Sequence, residues 1–420
     1  MAYVGYNETF RFCLTGHRRK QKSVRVGNKI PMRAPPENDS MDALQYQGQY
    51  LTMKPLTLPI TILTLLSSAC SSGEAPTEPI PSAQDPLPTA QPDFSRLSPS
   101  CFIPHASNPL IVSGDYAAEL GLGTPQWNDP HIIKVGSQYW MYASADDNFN
   151  HDIKIYRLVS DDLVTWTVDP ATAVLERTAG AFDSRSTETP VVVFFQGQYH
   201  MFWTGYDDET DVSKFKVRHA VSSDGINFTK DATPLVEPSD PGGTPNLDFD
   251  QYLVAEPAPV VFNNQIYLYY AAAGAHIGVG TVLHVVGLMT SSDGVIWSAP
   301  QSVLEPDQAT YPRNAPDYFK GYSTPHAVVL DNEVHLFFDV VRTDAAGTLF
   351  IQERLHHAAS SDGITAWTQD STHIIDKSDA GWTSVEVRSP AIFLEGTSLT
   401  MWYAGHTGLT LGMGLATCAL

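Results

Sequence analysis

The chain has 420 residues, of which 43% are hydrophobic and 10% aromatic, and it carries a net charge of −21 at pH 7. That apolar content supplies a sizeable core, and the negative field excludes nucleic acid as a partner. Neutral ligands, sugars among them, are compatible with such a surface.

Residues 1–52 depart from this balance, with eight Lys/Arg against four Asp/Glu. They precede a segment, 53–70, that begins Met53-Lys54, runs through an apolar stretch to Leu65-Leu66, and ends Ser67-Ser68-Ala69-Cys70. A charged start, a short apolar run, small residues and a Cys resemble a bacterial lipoprotein signal, with Cys70 as the lipidated residue. On this reading Met53 is the natural start, and 1–52 is an upstream extension or a basic arm. The lipid anchor is then the only membrane contact expected, with ordinary secretion as the alternative. No apolar run reaches the roughly 18 residues of a transmembrane helix. Residues 71–104, with seven Pro from Pro76 to Pro99, read as a disordered Pro-rich linker to a folded head at 105–420.

The head is β throughout. Five junctions place a polar residue near a Pro that opens an apolar run: Asp129-Pro130-His131-Ile132-Ile133, Glu188-Thr189-Pro190-Val191-Val192, Glu256-Pro257-Ala258-Pro259-Val260, Ser323-Thr324-Pro325-His326-Ala327 and Arg388-Ser389-Pro390-Ala391-Ile392. Taking Pro130, Pro190, Pro259, Pro325 and Pro390 as equivalent, the steps are 60, 69, 66 and 65 residues. A repeat of that length predicts a ring of similar units. Each unit continues into an aromatic strand, such as Tyr139-Trp140-Met141-Tyr142 or Tyr199-His200-Met201-Phe202-Trp203. A third strand then leads to a turn of the type Ser222-Ser223-Asp224-Gly225, whose Asp-Gly supplies the backbone of a tight reversal. The expected fold is all-β, a five-bladed β-propeller of four-stranded antiparallel blades. The fifth unit ends at 420 without this turn, so its outer strand is expected from Asn108 to Ser113, through Leu110-Ile111-Val112. Cys101 and Cys418 flank the ring; in an exported protein they form a disulfide that fastens its ends, or remain two buried thiols.

First strands of a propeller line its central channel, which brings Asp129, Glu188 and Glu256 to one mouth. Carboxylates around one pocket suit glycoside hydrolysis, in which one protonates the leaving oxygen and another acts as base or nucleophile. The Asp-Pro-His-Ile-Ile opening, the aromatic second strands and the Ser-Asp-Gly turns resemble glycoside hydrolases of families 43 and 32, over about residues 105–420. That resemblance implies Asp129 as general base (family 43) or nucleophile (family 32) and Glu256 as general acid. It favours an inverting enzyme acting on arabinosyl, xylosyl or fructosyl groups. The spacing differs from the families: Glu188 stands two residues before Pro190, and Glu256 three before Pro259.

Trp127 and Asn128, beside Asp129, and His326 and Arg388, at the fourth and fifth junctions, are candidates for sugar contacts. The alternatives are a packed aromatic for Trp127 and a structural ion pair for His326 and Arg388. No metal-ligand spacing occurs and no cofactor is expected; the resemblance alone implies a Ca²⁺ in the channel near His326. The expected partner is a carbohydrate, and the expected state a monomer. A non-catalytic carbohydrate-binding propeller is the main alternative. A phosphorylase would need a basic cluster, for which Arg185, Arg313 and Arg388 are the candidates. Loops 207–215, 238–250 and 307–321 are expected to set specificity.

Overall fold

The computed structural model describes residues 92–242, 248–275, 282–306, 319–343, 350–408 and 410–420. The lipoprotein-type segment with Cys70, the extension 1–52 and Arg313 lie outside the described residues. Among the described residues no helix is long and apolar enough to cross a membrane.

Five blades follow one another in the chain. Their inner strands are Pro125–Val135, Ser186–Phe195, Leu253–Phe262, Phe319–Leu330 and Glu386–Glu395. The second strands are Gln138–Asp147, Gln198–Tyr206, Gln265–Ala275, Glu333–Thr343 and Ser398–His406. The third are Lys154–Ser160, Lys216–Ser222, Val282–Ser291, Phe350–Ser360 and Leu411–Ala419. Within each blade these strands pair antiparallel in chain order. Inner and second strands are joined by two-residue turns such as Asn263-Asn264 and Asp331-Asn332. Both residues of these two turns have positive φ, as the twist of a tight hairpin demands.

Short outer strands complete the first four blades, for example Thr167–Val168 and Thr229–Lys230. The fifth blade takes its outer edge from the start of the domain: Ile111–Val112 pairs with Met413 and Gly412, and Ile103–Pro104 with Thr417 and Ala416. The folded part begins earlier than residue 105, because Phe94, Leu97 and Phe102 pack into the apolar layer around Phe337, Met401 and Leu420. Cys101 and Cys418 are joined by a disulfide across this closure, with Cα atoms 4.9 Å apart and 317 residues of chain between them.

The core lies between blades. One layer of buried side chains, including Trp127, Met141, Trp402 and Met413, joins the first blade to the fifth, and another, including Tyr269, Phe338 and Leu336, joins the third to the fourth. The repeated turns contribute directly. In each, the Ser hydroxyl accepts the N–H three residues on (Leu163 in the first blade, Gly in the others) and the Asp carboxylate accepts the next two backbone N–H groups, as Ser222 and Asp224 do for Gly225, Ile226 and Asn227. In the first blade, backbone donors from Thr165 and Val164 hold the Asp162 carboxyl down at about 2.

Each turn glycine also meets the preceding blade: Tyr142 Oη donates to Gly225 O at 2.8 Å, and Tyr269 Oη to Gly363 O at 2.7 Å. A Cβ on Gly363 would sit 2.7 Å from Tyr269 Oη and 2.9 Å from Val334, on a backbone with φ +70°. Gly363→Ala is therefore expected to lower the urea midpoint by the equivalent of about 2–4 kcal/mol, left-handed strain adding to overpacking. An unchanged midpoint would show that the turn does not carry blade contact.

Candidate active site

Every inner strand is interrupted at the same place. The ladder skips between Asn128 and His131, Glu188 and Val191, Ala255 and Pro257, Ser323 and His326, and Arg388 and Ala391. At each skip the residue before a Pro has left-handed φ: Asp129 +51°, Thr189 +53°, Glu256 +54°, Thr324 +38° and Ser389 +53°. Such backbone is costly for residues with a Cβ, and a bulge of this kind re-aims one side chain out of the pleat. The structural equivalence corrects the repeat: the matching Pro of the third blade is Pro257 rather than Pro259, and the steps become 60, 67, 68 and 65 residues. Glu256 thus stands directly before its Pro, as Asp129 does.

The five bulge residues and their prolines line one cavity on the channel. Asp129 and Glu256 are its two acids. Backbone N–H groups of the ring are held by hydroxyls of neighbouring blades: Thr189 N donates to Ser144 Oγ at 2.9 Å, Glu256 N to Thr204 Oγ1 at 2.7 Å and Ser389 N to Thr324 Oγ1 at 3.1 Å. Asp129 Oδ1 accepts the Ser389 hydroxyl at 2.7 Å. Glu256 Oε2 accepts Ser323 Oγ at 2.5 Å and Thr324 N at 2.7 Å. Burial raises the Glu256 pKa, the Asp129 charge adds to that rise, and its two donors and Arg388 act against it.

Glu188 lies one residue before its bulge, in register with Thr204, where Thr189 takes the ring position. It nevertheless lines a small cavity together with Asp129, Glu256, Gln352 and Arg388. Arg388 is the fifth-blade counterpart of Glu188. Its Nη1 donates to Gln352 Oε1 at 3.1 Å and lies 3.6 Å from Glu386 Oε2.

Sequence reasoning missed Asp339, which is wholly buried on the second strand of the fourth blade. It accepts the Thr324 hydroxyl and, at 3.0 Å, the Gln352 amide, so it braces the residue whose N–H holds Glu256. Burial, with the Glu256 charge adding to it, pushes the Asp339 carboxyl well above its ordinary range. The available signal was a carboxylate inside an apolar run, Leu336-Phe337-Phe338-Asp339-Val340-Val341.

Two expected sugar contacts do not hold. Trp127 is fully buried, its Nε1 donates to Asp115 O at 3.0 Å, and Tyr116 and Tyr156 pack edge-on against it, so no face is open to a ligand. His326 turns across the channel. Its Nδ1 accepts Ile392 N at 3.3 Å, so Nε2 carries the proton and donates to His131 Nδ1 at 3.3 Å; His131 Nε2 in turn donates to Val192 O at 2.8 Å. This chain fixes both rings as neutral tautomers and uses all four nitrogens. Calcium favours oxygen ligands, and no group of three His, Cys, Asp or Glu able to hold a metal occurs among the described residues. The site around His326 does not fit the cation implied by the resemblance.

Burial lowers the His131 pKa to about 4, and burial with the His131 ring beside it lowers that of His326 well below 6.5. Their unfolded values lie near 6.5, so this neutral pair contributes its full stability above that pH and loses it as pH falls toward 4. We expect the unfolding free energy to drop by on the order of 3 kcal/mol between pH 7 and 4 through His131 alone, with His326 adding in the same direction. A His131→Phe/His326→Phe double variant should lose that part of the acid sensitivity, as followed by urea melts at both pH values.

No family model matches the chain, and no curated protein matches it. Among solved structures it is similar to a thermostable family-43 glycoside hydrolase, with 16% identity and a TM-score of 0.52 over 70% of this chain and 90% of that one. It is similar to BT0996 in an RGII complex, with 14% identity and a TM-score of 0.55 over 70% and 87%. A third is a member of the GH130 family of mannoside phosphorylases, a family described as containing glycoside hydrolases that target β-1,2 mannosidic linkages in Candida mannan. It has 12% identity and a TM-score of 0.53 over 75% and 93%. At these identities the likeness is one of fold: the chain shares the five-bladed propeller of family 43-like and GH130 glycoside hydrolase structures.

Proposed function

We propose that the protein is a glycosidase that hydrolyses O-glycosidic bonds with inversion, Asp129 acting as general base and Glu256 as general acid. The observation that carries this reading is the ring of five bulges. Five inner strands adopt left-handed backbone that aims one residue each at a common cavity, and two of the five are carboxylic acids. Glu256, desolvated and with its pKa raised, is suited to hold a proton for the leaving oxygen. Asp129, oriented by Ser389, is suited to take the proton of the water that attacks the anomeric carbon from the other side. Glu188 and Arg388 face the adjoining cavity and supply an acceptor and a cation for sugar hydroxyls. Phosphorolysis has less support. Arg185 is paired with Glu209, and Arg388 is the one cation of that cavity among the described residues.

The test is turnover of 4-nitrophenyl arabinofuranosides, xylosides and mannosides and of fructosyl oligosaccharides, with and without phosphate. Proton NMR of the first-formed sugar reads the stereochemistry. Phosphate-independent release of the inverted anomer is expected, abolished in Asp129→Asn with binding retained. Sugar binding without turnover on any substrate would instead make this a carbohydrate-binding propeller. Cys70 lipidation and export to the cell surface are proposed with it, and mass spectrometry of the mature N-terminus checks them.

A further inference from the structure

The inner strands all end in hairpins at one end of the channel. The third strands end there too, since Ser160, Ser222, Ser291 and Ser360 lie opposite Tyr139, Tyr199, Ile266 and Val334, at the starts of the second strands. Hairpins and Ser-Asp-Gly turns therefore share one face. Gln196 Nε2 donates to Ser292 O at 2.9 Å, and Lys134 pairs with Glu395 at 2.9 Å, which carries the alignment from blade to blade. Asp129 stands six residues before Val135, so the bulge ring lies about 20 Å from this face. The paired rings of His131 and His326 come between the two. The cavities beside the ring take in Gln126, Asn128, Glu188 and Arg388, on its other side.

Seven large apolar side chains are exposed among the described residues, and six of them are at the hairpin end. Val164, Val295 and Ile296 sit on the turns. Phe194 and Val261 hold equivalent places one residue before their inner strands end, and Ile103 stands opposite Thr417 on the closing edge. The seventh, Phe182, lies against Lys216 at the start of a third strand. Val295 and Ile296 are neighbours and are 78% and 74% exposed. Turn geometry does not ask for this, because Thr165, Asn227 and Thr365 hold the place of Ile296 in the other turns.

The folded part also begins at this end. Phe94 and Leu97 pack in the layer that holds Val328, Leu394 and Leu420, and Leu420 N donates to Thr397 O of the fifth hairpin at 2.7 Å. Twenty-one residues separate Cys70 from Pro92, a length that spans about 70 Å at most. A lipid on Cys70 would thus hold the domain from this side.

We propose that the hairpin face rests on a lipid bilayer of low net charge, with Val295 and Ile296 entering the headgroup layer and the sugar site turned away. Exposed apolar surface rimmed by polar groups marks such contacts. The turn carries its two aliphatic side chains into the interface without loose backbone donors, since Asp293 accepts the N–H of both residues at 2.8 Å. Charge selects the lipid. Asp162, Asp224, Asp293, Asp331 and Asp362 edge the face, and Lys134 is already paired, so an anionic leaflet repels it. This contact is additional to the lipid anchor, and only the tethering rests on the Cys70 reading.

The experiment floats the full chain carrying Cys70→Ser, which cannot be lipidated, with phosphatidylcholine vesicles over a range of lipid concentrations. Co-flotation is expected, and Val295→Asp/Ile296→Asp should lower the partition coefficient about 10- to 100-fold. Replacing about 30% of the lipid by phosphatidylglycerol should lower it at least about three-fold. On vesicles, hydrogen exchange should slow at 261–264 and 292–297 and stay unchanged at 207–215, which follow a second strand at the site end.

No flotation at any lipid concentration would overturn the proposal, as would a double variant that floats like wild type. A dimer in light scattering that protects 292–297 without vesicles would also overturn it and assign the face to a second copy. If the double variant does not fold by circular dichroism, Phe194→Ser decides in its place: weaker flotation supports the contact, and unchanged flotation removes it. Mass spectrometry of the N-terminus judges the Cys70 reading separately, because the vesicle contact is measured without the lipid.

Discussion

Glu256→Gln is expected to lower kcat/KM on glycosides with poor leaving groups by about 10³- to 10⁴-fold, and on 2,4-dinitrophenyl glycosides by far less. The asymmetry follows from the role. A poor leaving group needs the proton that the buried Glu256 carboxyl delivers, whereas a good one departs without it. Gln keeps the shape and can still meet the Ser323 and Thr324 groups that hold Glu256. The loss should therefore lie in chemistry rather than folding. Asp129→Asn should lose about as much on every substrate, because activation of water is needed whatever the leaving group. In wild type the raised pKa of Glu256 places the alkaline limb of kcat/KM above the ordinary glutamic acid range. Rate is lost as pH rises through that value, since the acid works protonated. Equal losses for Glu256→Gln on good and poor leaving groups would remove the general-acid assignment.

Opening the Cys101–Cys418 disulfide should have the largest effect on stability. The bond joins residues 317 positions apart, and the loop-entropy account of cross-links gives about 6 kcal/mol for a loop of this size. The other ties are short strands, backbone bonds such as His105 N to Leu415 O and Leu110 N to Met413 O, and the packing of Phe94, Leu97, Phe102 and Ile111. The closing strands Ile103–Pro104 and Ile111–Val112 have two residues each, and Ile103 is 69% exposed. The rest of the strap is held by Phe102 against Phe337 and by Asn108, which bonds both N–H and C=O of Leu415. The Cys101→Ser/Cys418→Ser variant is expected to unfold about 10 °C lower than the oxidised protein. Limited proteolysis should begin in residues 92–112. A double-Ser variant as stable and as protease-resistant as the oxidised protein would mean that strand pairing and packing close the ring without the bond.

Much of the architecture is legible in the chain alone. Asp-Gly turns, two-residue hairpins and aromatic strands are local signals, and their repetition sets the blade count. Leu110-Ile111-Val112 is readable as the closing strand because the fifth unit lacks its own turn. Asp129 is readable as a site residue for the same kind of reason, standing directly before a Pro at the head of a strand. The third-blade register is misread, because Pro257 and Pro259 look alike in a chain and only the partner strand distinguishes them.

Local chemistry thus specifies the five-bladed ring and the acid-bearing heads of its inner strands. These rest on turn residues and two-residue alternation, which act over a few positions. Which side chains those heads meet depends on segments far apart in the chain. Trp127 belongs to the core because Tyr116 and Tyr156 enclose it, and His326 is half of a neutral pair because His131 lies across the channel. Asp339 joins the site because Thr324 and Gln352 meet it there and neighbouring segments exclude water from it. Burial and partnership are supplied by distant blades, and no local pattern encodes them.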